Sequence, residues 1–409
     1  MTPSNVNNTP LRPFDPMVLD CLGEISTAIL KSPVGRQFPD LTAFAFYIRK
    51  ANLQKLALNL NPDEIRLGRG LCFHIAPANI PINFAFTWIF SLLAGNANVV
   101  RLPSKDFPQV DALLSIINAT LEKYQELKER NAFVKYPRTD NETTAAYCQM
   151  ADCRMIWGGD HTIAAIKALP AKPRCVDITF ADRYSVALIN ADAILKTDDV
   201  HIARLAQDFY NDTYLMDQNA CSSPQVILWE GGDVEKAKDR FWVAVEEVTR
   251  AKYVLQDAVA VDKYTLFCEE AVKNPAIKSI TRSGNLLYRA ELEYLPNPKL
   301  ETLPPQLETI NQKLETRNQK LETLTNHRGK AGFFFEYTLQ NRQELFSVVT
   351  EKFQTIVQFG VDAVELAQQL VAAHLRGIDR IVPIGKAMDI GVLWDGHDLI
   401  RELSRCIVA

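Results

Sequence analysis

The sequence lacks any apolar run long enough to cross a bilayer. Its longest, INFAFTWIFSLLAG at residues 82–95, is too short and has no matching second segment. That excludes a membrane span and predicts a buried helix. Cysteine is sparse too: eight in 409 residues, with no CxxC, since the closest pair is Cys148 and Cys153. A disulfide scaffold is therefore excluded, and six scattered histidines supply no metal-ligand spacing. A surplus of positive charge is also missing. The formal net charge is −4, which gives no basis for nucleic-acid or anionic-membrane binding. The first residues, MTPSNVNNTPLRPFDP, lack the apolar core of a secretory signal. These absences fit a reducing, cytoplasmic setting.

With 47% hydrophobic and 23% charged residues, the composition is that of a globular chain large enough for two or three domains. Residues 70–105 predict strand, loop, helix and strand: LCFHIA is a short apolar run, PANIP a breaker, and NVVRL a second strand after Gly95 and Asn96. CRMIW, GGD and HTIAAIKAL predict a second such unit, and RCVDITF and SVALIN two further strands. The alternation indicates a doubly wound α/β sheet. After residue 201 the pattern restarts with a helix, a loop, the strand QVILWE and a long amphipathic helix. The expected organisation is an N-terminal region with a Rossmann-like cofactor domain (1–204), a second α/β catalytic domain (205–380), and a C-terminal segment (381–409) that closes the site or an oligomer interface.

Residues 298–325 form four seven-residue units, with Leu300, Leu307, Leu314 and Leu321 at one heptad position and Leu303, Ile310, Arg317 and Leu324 three residues on. Pro304 and Pro305 break the first half, so an expanded repeat in a loop is the preferred reading over an oligomerisation helix.

The chemistry centres on DQNACSSPQ, residues 217–225. Packed cysteines usually sit among branched apolar neighbours, whereas Cys221 has Asn219, Ala220, Ser222 and Ser223. Small neighbours give access, and backbone N–H groups are at hand to stabilise an oxyanion. Asn79, between Pro77 and Pro81 at the end of a strand, is placed to add a side-chain amide to such a hole. Gly158 and Gly159 follow a strand and open a helix, which allows a pyrophosphate to approach; taken alone, a plain tight turn is the preferred reading. A GxGxxG fingerprint in that context is absent. His74 and His161 have no spacing that ties them to Cys221 and are read as structural.

FHIAPANIP, LLAGNANVVRLPSK, MIWGGD, DQNACSSPQ and RIVPIGKAMDIGVLWDG together resemble the long-chain acyl-CoA reductases, the LuxC-type reductase component of bacterial bioluminescence. That family is similar to a shortened branch of the aldehyde dehydrogenase superfamily. The resemblance implies an aldehyde-dehydrogenase-like fold, Cys221 as the acyl-accepting nucleophile and Asn79 as an oxyanion donor. It also implies that NVVRLPSK holds the adenosine ribose, with Ser104 in that segment. Here Leu102 stands where the superfamily often has lysine, and Lys105 where it has glutamate. Lys105 with Arg101 would attract a 2′-phosphate, which favours NADPH over NADH. Glu336 in FFFEY is expected at the nicotinamide ribose, or else is an ordinary strand acid. Gly385 and Lys386 border the nicotinamide or acyl tunnel, or form a structural turn.

The superfamily's Glu-Leu-Gly-Gly general-base motif has no counterpart in ITFADRYSVALI, where Asp182 is the nearest acid. Without that base a thioester on Cys221 resists hydrolysis and is available for reduction. The expected reaction converts an acyl-CoA, or an acyl-protein donor, and NADPH to an aldehyde, with CoA as leaving group. The alternatives are a CoA-acylating aldehyde dehydrogenase running oxidatively, a cofactor-independent cysteine acyltransferase, and a catalytically dead scaffold. The family also implies a homo-oligomer and an acyl-protein synthetase partner.

Overall fold

The computed structural model describes residues 6–61, 63–77, 80–297 and 323–408. The chain divides into two compact units, residues 1–182 with 391–409 and residues 183–390.

In the first unit a short strand, β1 (Ile65–Gly68), pairs antiparallel with Ser404–Ile407. The unit is built on five parallel strands: β2 (Leu71–Ile75), β3 (Ala97–Arg101), β4 (Asn131–Val134), β5 (Cys153–Trp157) and β6 (Val176–Phe180). Their order is β4-β3-β2-β5-β6. Every residue of β2 is buried, as a central parallel strand covered on both faces requires. The apolar run predicted as a helix is one, Asn83–Leu93, with all but Phe86 buried. Among the described residues no helix is long and apolar enough to cross a membrane. Because β3 and β4 continue to one side of β2 while β5 and β6 lie on the other, the strand order reverses between β2 and β5. In open α/β sheets that reversal places a ligand crevice at the carboxyl ends of the strands.

Polar side chains thread this sheet in matched pairs. His74 Nδ1 meets Thr87 Oγ1 at 2.9 Å and its Nε2 meets Asn98 Oδ1 at 3.0 Å. Asn98 Nδ2 donates to Asn131 Oδ1 at 2.9 Å, which also accepts from Trp88 Nε1 at 2.7 Å. Both ring nitrogens of His74 are thus occupied inside the core, in keeping with its structural reading.

The second unit carries a seven-stranded sheet of β7 (Tyr184–Asn190), β8 (Pro224–Glu230), β9 (Ile277–Ser283), β10 (Leu287–Leu292), β11 (Phe333–Thr338), β12 (Phe353–Phe359) and β13 (Arg380–Pro383). Its order is β13-β12-β7-β8-β11-β10-β9, parallel except for the β9–β10 hairpin. Strand alternation divides its apolar residues between two cores. Val186, Leu188, Val226, Leu228, Phe333 and Phe335 enter one; Ala187, Ile189, Ile227, Trp229 and Phe334 enter the other.

Two boundaries differ from the sequence expectation. The division falls after Asp182, not after residue 204, because β7 pairs with β8 and β12 and not with the first sheet. An apolar strand does not reveal which sheet will bury it. The C-terminal segment expected at 381–409 is divided: residues 381–390 stay with the second unit, while 391–409 return to the first through Ser404–Ile407. The heptad segment lies outside the described residues up to 322; Leu324–Asn326 form a short 3-10 turn with Leu324 buried.

Asn98→Ala would leave His74 Nε2 without its partner and take one of two donors from Asn131 Oδ1, at a cost of about 1–3 kcal/mol. Urea denaturation should show this loss in the unfolding midpoint, and a variant as resistant as the wild type would refute the threaded network.

Candidate active site

Cys221 sits between the end of helix Asp199–Thr213 and the start of β8. After the helix a 3-10 turn, Tyr214–Met216, leads into Asp217 and Gln218, both left-handed with φ of 49° and 61°. Such conformations are unfavourable for residues with a Cβ and persist only where the surroundings fix them. Here the fixing is extensive. The Tyr253 hydroxyl donates to the Asp217 carboxylate, and Ala331 N donates to Asp217 O at 3.1 Å. Gln218 Nε2 donates to Pro224 O (3.2 Å) and Phe333 O (3.1 Å), while its Oε1 accepts from Gly332 N at 3.2 Å. Gln225 Nε2 closes the loop onto Gln218 O at 3.0 Å.

At the tip, Cys221 is exposed while Ala220, Ser222 and Ser223 around it are buried. Its carbonyl accepts from Ser185 Oγ at 2.7 Å, a contact from β7. The two serines do more than leave room. Ser223 Oγ donates to the main-chain oxygen of Asp212 at 2.6 Å, and Ser222 Oγ meets Met388 Sδ at 3.7 Å. An accessible thiol on a loop tied down from both sides suits a nucleophile that must meet a carbonyl carbon in one orientation.

Met388 belongs to a turn, residues 384–389, that is held from two directions. Asp212 accepts from Gly385 N at 2.6 Å through Oδ2 and from Ala387 N at 3.0 Å through Oδ1. Arg380 donates to the carbonyls of Ala387 (3.2 Å), Lys386 (3.2 Å) and Asp389 (3.0 Å). Gly385 has φ of +92°, and a Cβ there would lie 2.7 Å from that of Asp208. Lys386 is exposed and paired with Asp389 at 3.0 Å, so of its two sequence readings the surface turn lysine is the one its side chain displays. Burial pushes the Asp212 carboxyl up to about 7 against the pull of its two N–H donors, with Asp389 and Asp208 adding to the rise.

In the first unit the expected cofactor residues share the carboxyl edge of the sheet. Arg101 ends β3 with its guanidinium 4.6 Å from the ring centre of Tyr136. Ser104 and Lys105 follow, both exposed, with Lys105 Nζ 5.2 Å from the Phe107 ring centre. Gly158 and Gly159 separate β5 from helix Asp160–Lys167. The two glycines differ. Gly158 N is committed to Phe180 O at 3.1 Å, so it is not a donor for a ligand. Gly159 caps the helix, and a Cβ built there would meet nothing within 4 Å, so the helix start is open at that point. Asn79 lies outside the described residues.

Glu336 is placed differently from the cofactor expectation. It is 3% exposed, and its Oε1 accepts from Trp229 Nε1 at 3.0 Å and Trp242 Nε1 at 2.7 Å. Oε2 faces Arg289 at 3.5 Å, and burial raises the carboxyl despite that cation. The side chain is spent in the core of the second unit, as an ordinary strand acid would be, because an inward position on β11 faces the two tryptophans. His161 is exposed. Among the described residues no three His, Cys, Asp or Glu side chains converge to hold a metal. Sequence reasoning missed Ser185, Asp212, Gln218 and Met388. Asp212 lies between Asn211 and Thr213 at a helix end, and nothing in that polar stretch signals its role.

Comparison with known proteins bears on the family and the fold. The profile of the acyl-CoA reductase (LuxC) family matches residues 53–257, which include the β3 and β5 edges and Cys221. No curated protein matches the sequence. Among solved structures, an oxidoreductase from Marinobacter aquaeolei is 12% identical with a TM-score of 0.62, covering 99% of this chain and 87% of that one. An NAD-dependent benzaldehyde dehydrogenase from Corynebacterium glutamicum is 10% identical with a TM-score of 0.55, covering 96% and 82%. A variant of proline utilization A from Bradyrhizobium japonicum is 13% identical with a TM-score of 0.60, covering 96% of this chain and 42% of that one. These likenesses establish an aldehyde dehydrogenase fold, and the profile match establishes the family: the chain belongs to the acyl-CoA reductases of the LuxC type.

Proposed function

We propose that this chain reduces an acyl thioester to an aldehyde with NADPH, through an acyl group carried on Cys221. The observation that carries the reading is the exposed thiol on a loop fixed by Gln218, Ser185, Ser222 and Ser223. Cys221 Sγ attacks the carbonyl carbon of an acyl-CoA, forming a tetrahedral oxyanion. The Cys221 backbone N–H and the Asn79 amide are its proposed donors. Collapse breaks the bond to CoA, which leaves as a thiolate and takes up a proton from solvent, and the acyl group remains as a Cys221 thioester. The cofactor, when bound, supplies the hydride that reduces this carbonyl. As the aldehyde forms, the C–Sγ bond breaks and the Cys221 thiolate is restored.

Gly159, with open space at a helix start, is the residue best suited to receive the cofactor's pyrophosphate, and Ser104 lies along the same edge. Lys105 is exposed just past β3, and with Arg101 it favours a 2′-phosphate. The absence of the superfamily's general-base motif supports reduction over hydrolysis. A homo-oligomer in the cytoplasm, supplied by an acyl-protein synthetase, completes the reading.

Four experiments test it. Wild-type enzyme should oxidise NADPH with long-chain acyl-CoA and yield trapped aldehyde, and Cys221→Ala should abolish both. Mass spectrometry without cofactor should find the acyl group on Cys221; an acylated enzyme that never oxidises NADPH would instead indicate an acyltransferase. Lys105→Glu should raise KM for NADPH by about tenfold, the equivalent of ~1.4 kcal/mol, and leave KM for NADH nearly unchanged. Glu336→Gln should lower the thermal midpoint, because it weakens charge-assisted hydrogen bonds in the core, but leave KM for NADPH as in the wild type. A rise in KM there would return Glu336 to the cofactor site.

A further inference from the structure

The clamp on residues 384–389 plays no part in the chemistry above, yet it is built from both sides. Arg380 takes three carbonyls of the turn and Asp212 takes two of its N–H groups. The two residues after Cys221 reach the same assembly: Ser222 touches Met388, and Ser223 binds the main-chain oxygen of Asp212. Asp212 therefore holds the turn with its side chain and the nucleophile loop with its backbone. What this brings against Ser222, the residue that follows Cys221, is a half-buried thioether, a flexible and polarisable apolar surface.

We propose that Asp212 is a positioning residue for the acyl-transfer step, seating Met388 as the wall against which the acyl chain on Cys221 lies. The inference rests on the reading of Cys221 as acyl acceptor.

Both turn N–H groups need acceptors, and a carboxylate offers one to each. Protonation turns one of those oxygens into a hydroxyl and weakens its bond. The charged groups facing Asp212 are Asp208, on its own helix, and Lys386 and Asp389 on the turn; Arg380, from β13, holds the turn's opposite side. Burial and the two neighbouring acids set the carboxyl at about 7, so the clamp is complete above that pH and loosens as pH falls through it. Stability moves the opposite way. The folded chain holds this proton more tightly than the unfolded chain does, so ionising Asp212 costs stability as pH rises from its ordinary value of 3.8 to about 7. A loss of activity on mild acidification is therefore not unfolding driven by this group.

The test uses full-length wild type, Asp212→Asn, Met388→Ala and the double variant, assayed with NADPH and long-chain or acetyl-CoA between about pH 5.5 and 8.5. At pH 8, Asp212→Asn and Met388→Ala should each raise KM for the long-chain donor by about tenfold, with a much smaller effect on acetyl-CoA. The double variant should be no worse than either single one, because both remove the same contact. Asp212→Asn should also flatten the fall in kcat/KM below pH 7 that the wild type shows. A wild-type profile and KM in Asp212→Asn, or effects that multiply in the double variant, would overturn the proposal. If Asp212→Asn does not fold, an unchanged long-chain KM in Met388→Ala overturns it equally.

A second readout needs no turnover. Alkylation of Cys221 by N-dodecylmaleimide and N-ethylmaleimide, followed by peptide mapping, should give a dodecyl-to-ethyl rate ratio about fivefold lower in both single variants. A wild type that oxidises no NADPH defeats the reductase reading, while this ratio still decides whether Asp212 seats an apolar wall.

Discussion

The site depends on the register between β7 and β8. Ser185 pairs with Pro224, and the register then shifts by one residue at a bulge before the ladder continues from Val186 and Val226; this puts the Ser185 hydroxyl on the Cys221 carbonyl. Both strands lie inside the seven-stranded sheet with apolar residues on each face, so a slip by one residue would send the side chains fitted to one core into the other. The ladder therefore fixes where the chain enters β8, and the loop before it inherits that precision. Rigid sheet, then tethered loop, then exposed thiol is the order in which position is passed along.

Burying so many polar groups around one cysteine would be costly if they were not matched. Asp212, Gln218, Ser185 and Ser223 are all nearly inaccessible, and each has its partner within the second unit. Their bonds hold two left-handed residues, Asp217 and Gln218, that would relax in an open loop. The small residues beside Cys221 thus serve anchoring as much as access. Ser222 and Ser223 are buried by the turns their hydroxyls tie together.

The first unit solves a different problem by similar means. Its strands β2, β3 and β4 carry His74, Asn98 and Asn131, whose side chains bond one another in sequence. With the core settled in this way, the carboxyl edge is left to loops that present Arg101, Ser104, Lys105 and Gly159. Gly158, adjacent to Gly159 and identical in type, spends its N–H on strand β6. Two neighbouring glycines therefore differ in what they can offer a ligand.

Much of this was legible beforehand because it is local. Apolar runs of strand length, the Asn83–Leu93 helix, the restart of the α/β pattern and a cysteine among small polar neighbours all follow from side chains close in sequence. Other features depend on residues far apart in the chain. Whether Tyr184–Asn190 joins the first sheet or the second turns on partners at residues 224 and 353. Glu336 looked available on an alternating strand until two indoles, from positions 229 and 242, closed over it. Asp212 gave almost no signal, since its meaning lies in N–H groups more than 170 residues later. The sequence by itself determined the elements, the candidate nucleophile and the family resemblance, because those rest on periodicity and short motifs. Only the tertiary structure decided which polar groups are spent on the fold and which are left for chemistry, because burial and hydrogen-bond partners are properties of the packed chain.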